Sequence, residues 1–228
     1  MTKIFWLEQQ SSDVPRGNEW LAGSELVRLA GMRFLRRRED WRLGRWTAKQ
    51  AVRSYLGLAD GPGLMAEIEI RASPDGAPEA FIGGREASVS ISLSHRAGIG
   101  LCAIVPFGTR LGCDVEAIEP RPAAFVEDYF TQDEQELAHC AADEEYDRLV
   151  TLFWSAKESV LKALRVGLRR ATTEVRVHTA VSRPAGAWRP FCAHVAEGRI
   201  FHGWYREADA ILRTVAVAAP GGRCLVQA

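Results

Sequence analysis

Two short segments hold most of the residues able to do chemistry. In Leu111-Gly112-Cys113-Asp114-Val115-Glu116, two acids alternate on what reads as a strand. Period-two geometry turns Asp114 and Glu116 to the same side. Trp154-Ser155-Ala156-Lys157-Glu158-Ser159-Val160-Leu161-Lys162 reads as a helix. There Glu158 and Lys162 stand a turn apart on one face. Three acids and a lysine gathered together suit one divalent cation and one polyphosphate, which is equipment for phosphoryl-type transfer. Two like charges ~4 Å apart repel by ~4 kcal/mol at an effective dielectric of ~20, and a bound cation reverses that sign. Hard oxygen ligands and substrate phosphates favour Mg²⁺ over zinc. Plainer readings stand beside this one. Alternating acids often mark only a solvated face, and an exposed i, i+4 Glu–Lys pair contributes little.

Two other places carry chemistry-bearing types. Val89-Ser90-Ile91-Ser92-Leu93-Ser94 alternates strictly and is followed by His95 and Arg96, so these two sit at the end of a strand. Ser94 and His95 there could bind an anion, or His95 could be structural. Arg33, Arg36, Arg37, Arg38, Arg42, Arg45 and Lys49 form a basic run. Guanidinium forks match phosphate geometry, although such a run also suits a solvated face. Arg45 and Lys49 are the expected phosphate contacts, because they lie on a helix with an echo elsewhere in the chain.

That echo pairs Trp46-Thr47-Ala48-Lys49-Gln50-Ala51-Val52 with Trp154-Ser155-Ala156-Lys157-Glu158-Ser159-Val160 at an offset of 108 residues, four of seven positions being identical. The offset matches a break at Pro106-Phe107-Gly108. Two related halves are expected, 1–107 and 108–228, each a sheet with a long helix packed on it.

The surrounding elements follow from pattern. Lys3–Gln9 reads as a strand, Ser24 as the cap of a short helix, and Arg38–Leu58 as a long helix stopped by Gly57 and Gly61-Pro62-Gly63. Ala66–Arg71 and Gly100–Val105 read as strands around a turn at Ser73–Pro78. Thr131-Gln132-Asp133-Glu134 has the form of a capping box. Val175–Thr179, and antiparallel strands from Phe191 to Ala219, complete the second half. Phe125–Phe130, between the two acidic motifs, carries aromatic surface that either packs inside or meets a partner. Lys157 is expected to pack its stem and pair locally.

Net charge is zero, which disfavours a general nucleic-acid or membrane-surface binder. The five cysteines are scattered with no C-x-x-C pair, so neither a disulfide framework nor a zinc site is expected, and a reducing cytoplasm fits. No apolar run suits a signal peptide or a membrane span.

Taken together, Ser92–Arg96, Gly112–Glu116 and Trp154–Lys162 resemble, in order and spacing, the signatures of the surfactin-type 4′-phosphopantetheinyl transferases. Asp40–Arg45 resembles a less specific N-terminal element of that family. The resemblance implies an α+β fold of two similar α/β halves in a pseudo-twofold arrangement, with the active site between them. It implies Mg²⁺-dependent transfer of the phosphopantetheine arm of coenzyme A to a serine of an apo carrier protein of fatty-acid, polyketide or nonribosomal-peptide synthesis, with release of 3′,5′-ADP. The metal ligands fall on Asp114, Glu116 and Glu158. The lysine that neutralises leaving phosphate falls on Lys162, and the coenzyme A histidine on His95, beside Ser94. Read chemically, Glu158, directly or through a water, would be one candidate to take the serine proton, and the choice of base stays open at this point. The family's Gly-Lys-Pro appears here as Gly76-Ala77-Pro78, so one nucleotide contact is lost, and Arg85 or Arg96 could replace it. Two alternatives are a non-catalytic module that holds coenzyme A or a carrier, and another metal-dependent phosphotransferase or nuclease. The expected protein is cytoplasmic and monomeric.

Overall fold

The structure is a computed structural model describing residues 3–59, 61, 63–179 and 186–218. Pro62, in the expected helix stop, and Ala219, at the expected end of the last strand, lie outside the described residues. The chain divides between Thr109 and Arg110 into two compact units, each mixing helices with antiparallel sheet.

The first unit runs β1 (Phe5–Gln10), α1 (Gly23–Ala30), α2 (Leu35–Leu56), α3 (Leu64–Glu67), β2 (Ile68–Ala72), β3 (Pro78–Ile82), β4 (Arg85–Glu86), β5 (Val89–Arg96) and β6 (Ile99–Pro106). Its strands pair as β1-β6-β5 and as β2-β3-β4. The second unit runs β7 (Leu111–Ala117), α4 (Ala123–Tyr129), α5 (Gln132–His139), α6 (Asp143–Ala163), β8 (Val175–Thr179), β9 (Arg189–Val195), β10 (Arg199–Ala208) and β11 (Ile211–Ala218). Its strands form one sheet, β7-β11-β10-β9-β8. In both units the first strand pairs with the last, and the long helix packs on the sheet.

Some boundaries differ from the sequence reading. The strand expected from Ala66 begins two residues later, because Leu64–Glu67 are good helix formers and take a helical turn first. Ser24 does not cap α1. Ala22 holds the cap position, and Glu25, three residues on, accepts its N–H at 2.9 Å. The segment after Pro122 is helical, and Phe125 packs among Tyr129, Phe130 and Trp154. Cys102, Cys113 and Cys140 are free thiols, and Cys192 is disulfide-bonded, where the sequence pattern led to no expectation of a disulfide framework.

The echo in the sequence has a physical counterpart. Lys157 is fully buried and its ammonium meets Glu134 at 2.8 Å, Thr172 O at 2.9 Å and Val175 O at 2.7 Å. Glu134 in turn accepts the N–H of Thr131 at 2.8 Å and of Val177 at 2.9 Å. In the first unit Lys49 is equally buried and meets Glu25 at 2.6 Å, Trp20 O at 2.9 Å and Met65 O at 2.8 Å. Glu25 accepts the N–H of Ala22 and of Ile70. Each clamp ties the long helix to a short helix's start and to the strand that follows. A buried ammonium has three protons and a carboxylate several lone pairs, and here they are matched. Lys157 therefore pairs with the preceding helix, not locally.

Gly112 sets the spacing between β7 and α6. A Cβ there would stand 1.7 Å from Ser159 O and 2.7 Å from Ala163 N. Backbone atoms of a packed helix cannot swing aside. Gly112→Ala should cost about 3 kcal/mol or more of stability through overpacking, read as a lower denaturation midpoint; an unchanged midpoint would refute the close approach.

Candidate active site

Helix α6 sorts its motif residues by face. Ser155 and Ser159, four apart, both reach the Thr214 hydroxyl on β11, at 2.9 and 2.6 Å. Lys157 points into the buried clamp. Trp154, Glu158 and Lys162 recur every four residues and form a stripe toward β7. On β7, Gly112, Asp114 and Glu116 alternate toward the helix. The strand and helix run in opposite senses, so Trp154 meets Glu116 and Lys162 meets Asp114.

Asp114 is only 3% exposed, which removes the solvated-face reading for it. Its Oδ1 accepts from Lys162 Nζ at 2.8 Å, and the same ammonium donates to Cys113 O at 3.1 Å. Glu116 Oε1 accepts the indole N–H of Trp154 at 2.9 Å, and its Oε2 accepts from Arg121 at 3.2 Å. Glu158 Oε1 is buried and has no hydrogen-bond partner.

Electrostatics tie these groups together. Burial raises the Glu158 carboxyl above the usual carboxylate range; Lys162 opposes that, and the Asp114 and Glu116 charges add to it. Burial works against the Lys162 ammonium, but Asp114, then Cys113 and lastly Glu158 outweigh it, so its pKa is raised. An unpaired buried acceptor facing two further carboxylates is costly to keep ionised. A divalent cation would relieve that cost, and three hard carboxylates are the donor set Mg²⁺ takes together with water and phosphate oxygens. The residues thus fit such an ion. They do not form a ready cage: among the described residues, no group of three His, Cys, Asp or Glu side chains is placed to hold a metal by itself.

The other expected contacts lie in the first unit. Ser94 is buried and His95 exposed at the end of β5. A Cβ on Gly44 would lie 3.6 Å from His95 Cδ2, so the imidazole lies against α2 where that helix lacks a side chain. His95 joins Arg28, Arg36, Arg37, Asp40 and Trp41 around an open pocket of roughly 540 Å³. Lys49, expected to reach a phosphate, does not: its protons are committed to Glu25 and two carbonyls inside the core. Arg45 is also largely withdrawn. It is buried, 3.8 Å from Glu25 and 4.9 Å above the Trp41 ring. Burial pushes its guanidinium down to about 10, with Glu25 opposing and Arg28 adding to the effect. Arg42 is used on the carbonyls of Pro15, Arg16 and Gly17. The sequence reading missed Arg28, which lies outside the basic run and joins it only through the turn from α1 into α2.

Known proteins resemble parts of this chain. Residues 110–213 match the family model described as the 4′-phosphopantetheinyl transferase superfamily. A curated relative, 4′-phosphopantetheinyl transferase HetI of Nostoc sp. (strain PCC 7120), is 26% identical over 78% of this chain and 73% of its own length. Two solved structures are similar in part. The holo-[acyl-carrier-protein] synthase of Thermotoga maritima is 21% identical with TM-score 0.38, covering 48% of this chain and 63% of that one. That of Bacillus anthracis str. Ames, in complex with CoA (3′,5′-ADP), is 20% identical with TM-score 0.38, covering 45% and 93%. Over residues 110–213, within its second unit, the chain is thus similar to the 4′-phosphopantetheinyl transferase superfamily. No helix among the described residues is long and apolar enough to cross a membrane.

Proposed function

We propose that this protein transfers the 4′-phosphopantetheine arm of coenzyme A to a serine of an apo acyl or peptidyl carrier protein, with Mg²⁺, releasing 3′,5′-ADP. The observation that carries this reading is the buried, unpartnered Glu158 oxygen in the field of Asp114, Glu116 and Lys162. Asp114, Glu116 and Glu158 would hold the metal. When bound, it neutralises the diphosphate and eases in-line displacement at phosphorus.

The chain's own residues do the rest. Glu158, with its raised pKa, is suited to accept the proton of the incoming serine hydroxyl, directly or across one water. The serine oxygen forms a bond to the phosphorus that carries the pantetheine arm, and the bond from that phosphorus to the 3′,5′-ADP oxygen breaks. Lys162, fixed by Asp114 and the Cys113 carbonyl, places a cation beside the charge that grows on the leaving oxygen.

The pocket of Arg28, Arg36, Arg37 and His95 suits the 3′-phosphate of coenzyme A, since three guanidiniums and an imidazole line open space while Lys49 and Arg42 are spent on the fold. Arg37→Ala should raise KM for coenzyme A about tenfold, the loss expected for one charge-assisted hydrogen bond, and leave KM for dephospho-coenzyme A unchanged. Equal increases for both would remove Arg37 from the phosphate site.

The function is tested by chromatography of the small-molecule products. Coenzyme A, Mg²⁺ and apo carrier should yield 3′,5′-ADP in amounts equal to the carrier consumed, and a carrier with its serine replaced by alanine should yield none. Coenzyme A binding without 3′,5′-ADP would favour the non-catalytic module.

A further inference from the structure

Glu116 is held by a closed circuit of four side chains. Trp154 donates to its Oε1 at 2.9 Å and Arg121 to its Oε2 at 3.2 Å. Arg121 lies 4.8 Å above the Phe125 ring. Phe125 packs edge-on against Trp154 at 4.9 Å, and Tyr129 closes on both, at 4.9 and 5.2 Å. Four separate pieces of backbone therefore meet: β7, the loop after it, α4 and α6. Pro120 and Pro122 flank Arg121, and each has its φ fixed by its ring. Arg121 and Glu116 are each 15% exposed at the side chain, so the pair is shielded enough to hold its geometry.

Neither Arg121 nor the aromatic shelf needs to touch substrate to matter. A carboxylate has about four lone-pair directions, and Trp154 and Arg121 take one on each oxygen. The rotation of the carboxylate is thereby fixed, and so is the direction of its remaining lone pairs. We propose that Arg121, seated on Phe125, is a positioning residue that with the Trp154 indole sets Glu116 in the orientation in which it serves a divalent cation. This rests on the function proposed above. It gives a role to a loop residue outside both acidic motifs, and it explains the aromatic residues of α4 as the seat of that arginine.

Outer-shell partners of this kind usually change metal affinity 10–100-fold when removed. Mn²⁺ serves as the probe, titrated into the full-length protein with coenzyme A while free Mn²⁺ is read by electron paramagnetic resonance. Arg121→Ala should weaken Mn²⁺ binding about tenfold or more. Arg121→Lys, which keeps a charge but not the fork, should recover part of the loss. Trp154→Phe, which keeps a ring and removes the N–H, should weaken Mn²⁺ in the same direction. In steady state, KM for Mg²⁺ should rise in Arg121→Ala while KM for carrier stays within twofold.

Wild-type Mn²⁺ affinity in a folded Arg121→Ala protein would overturn the proposal, as would a loss that Arg121→Lys does not reduce at all. A wild-type protein that binds Mn²⁺ but leaves the carrier unmodified would instead overturn the proposed function, so the two failures are told apart.

Discussion

Glu158→Gln is expected to lower kcat for carrier modification by 10²–10⁴-fold, the usual range for loss of a general base, while leaving the fold intact. The substitution keeps size and removes the charge. Stability moves the other way. The folded Glu158 carboxyl is raised by burial and by Asp114 and Glu116. On acidification the folded state therefore takes up this proton before the unfolded chain does. Without metal, stability contributed at this site is full below the unfolded pKa and is lost as pH rises through the folded pKa. Glu158→Gln removes that loss. Metal-free Glu158→Gln should accordingly unfold at an equal or higher temperature than metal-free wild type near pH 7, and the difference should shrink on acidification. A variant that is both inactive and markedly less stable would mean that Glu158 is structural. Lys162→Ala should also lose most turnover, because its ammonium is the cation held on Asp114 at this end of the stripe.

Lys157→Ala has a different signature. It leaves Glu134 buried without its cation, and removing one partner of a buried pair costs about 3–5 kcal/mol. Replacing both partners by apolar residues of similar volume should cost less than either single change. The double-mutant cycle, by urea denaturation, should thus show strong coupling between Glu134 and Lys157. Lys49 and Glu25 should behave alike, since the same pattern of two carbonyls and two backbone N–H groups surrounds them. Additive effects in either pair would contradict the clamps.

Much of the second unit was legible because its motif residues obey simple periods. Alternation put Asp114 and Glu116 on one side of β7, and a spacing of four put Glu158 and Lys162 on one side of α6. The echo of Lys49 with Lys157 was legible too, but its meaning was not. A lysine in a basic run reads as a phosphate ligand, and only packing shows that Lys49 is buried against Glu25. The identity of the clamp acids depends on Glu25 and Glu134 folding back at helix starts, which reads as capping in sequence and becomes an ion pair only in three dimensions. Arg28 and Arg121 were overlooked for a related reason. Each is an arginine outside the motifs, and it reaches its place through a turn whose direction periodicity does not encode.

The most direct measurement is the intact mass of an apo carrier protein after incubation with the wild-type protein, coenzyme A and Mg²⁺. The carrier should gain one phosphopantetheine arm, the gain should vanish when the divalent ion is chelated, and Glu158→Gln should be slowed at least about a hundredfold. A carrier that keeps its apo mass under saturating conditions, or one modified equally fast by Glu158→Gln, would contradict the role given to this carboxylate cluster.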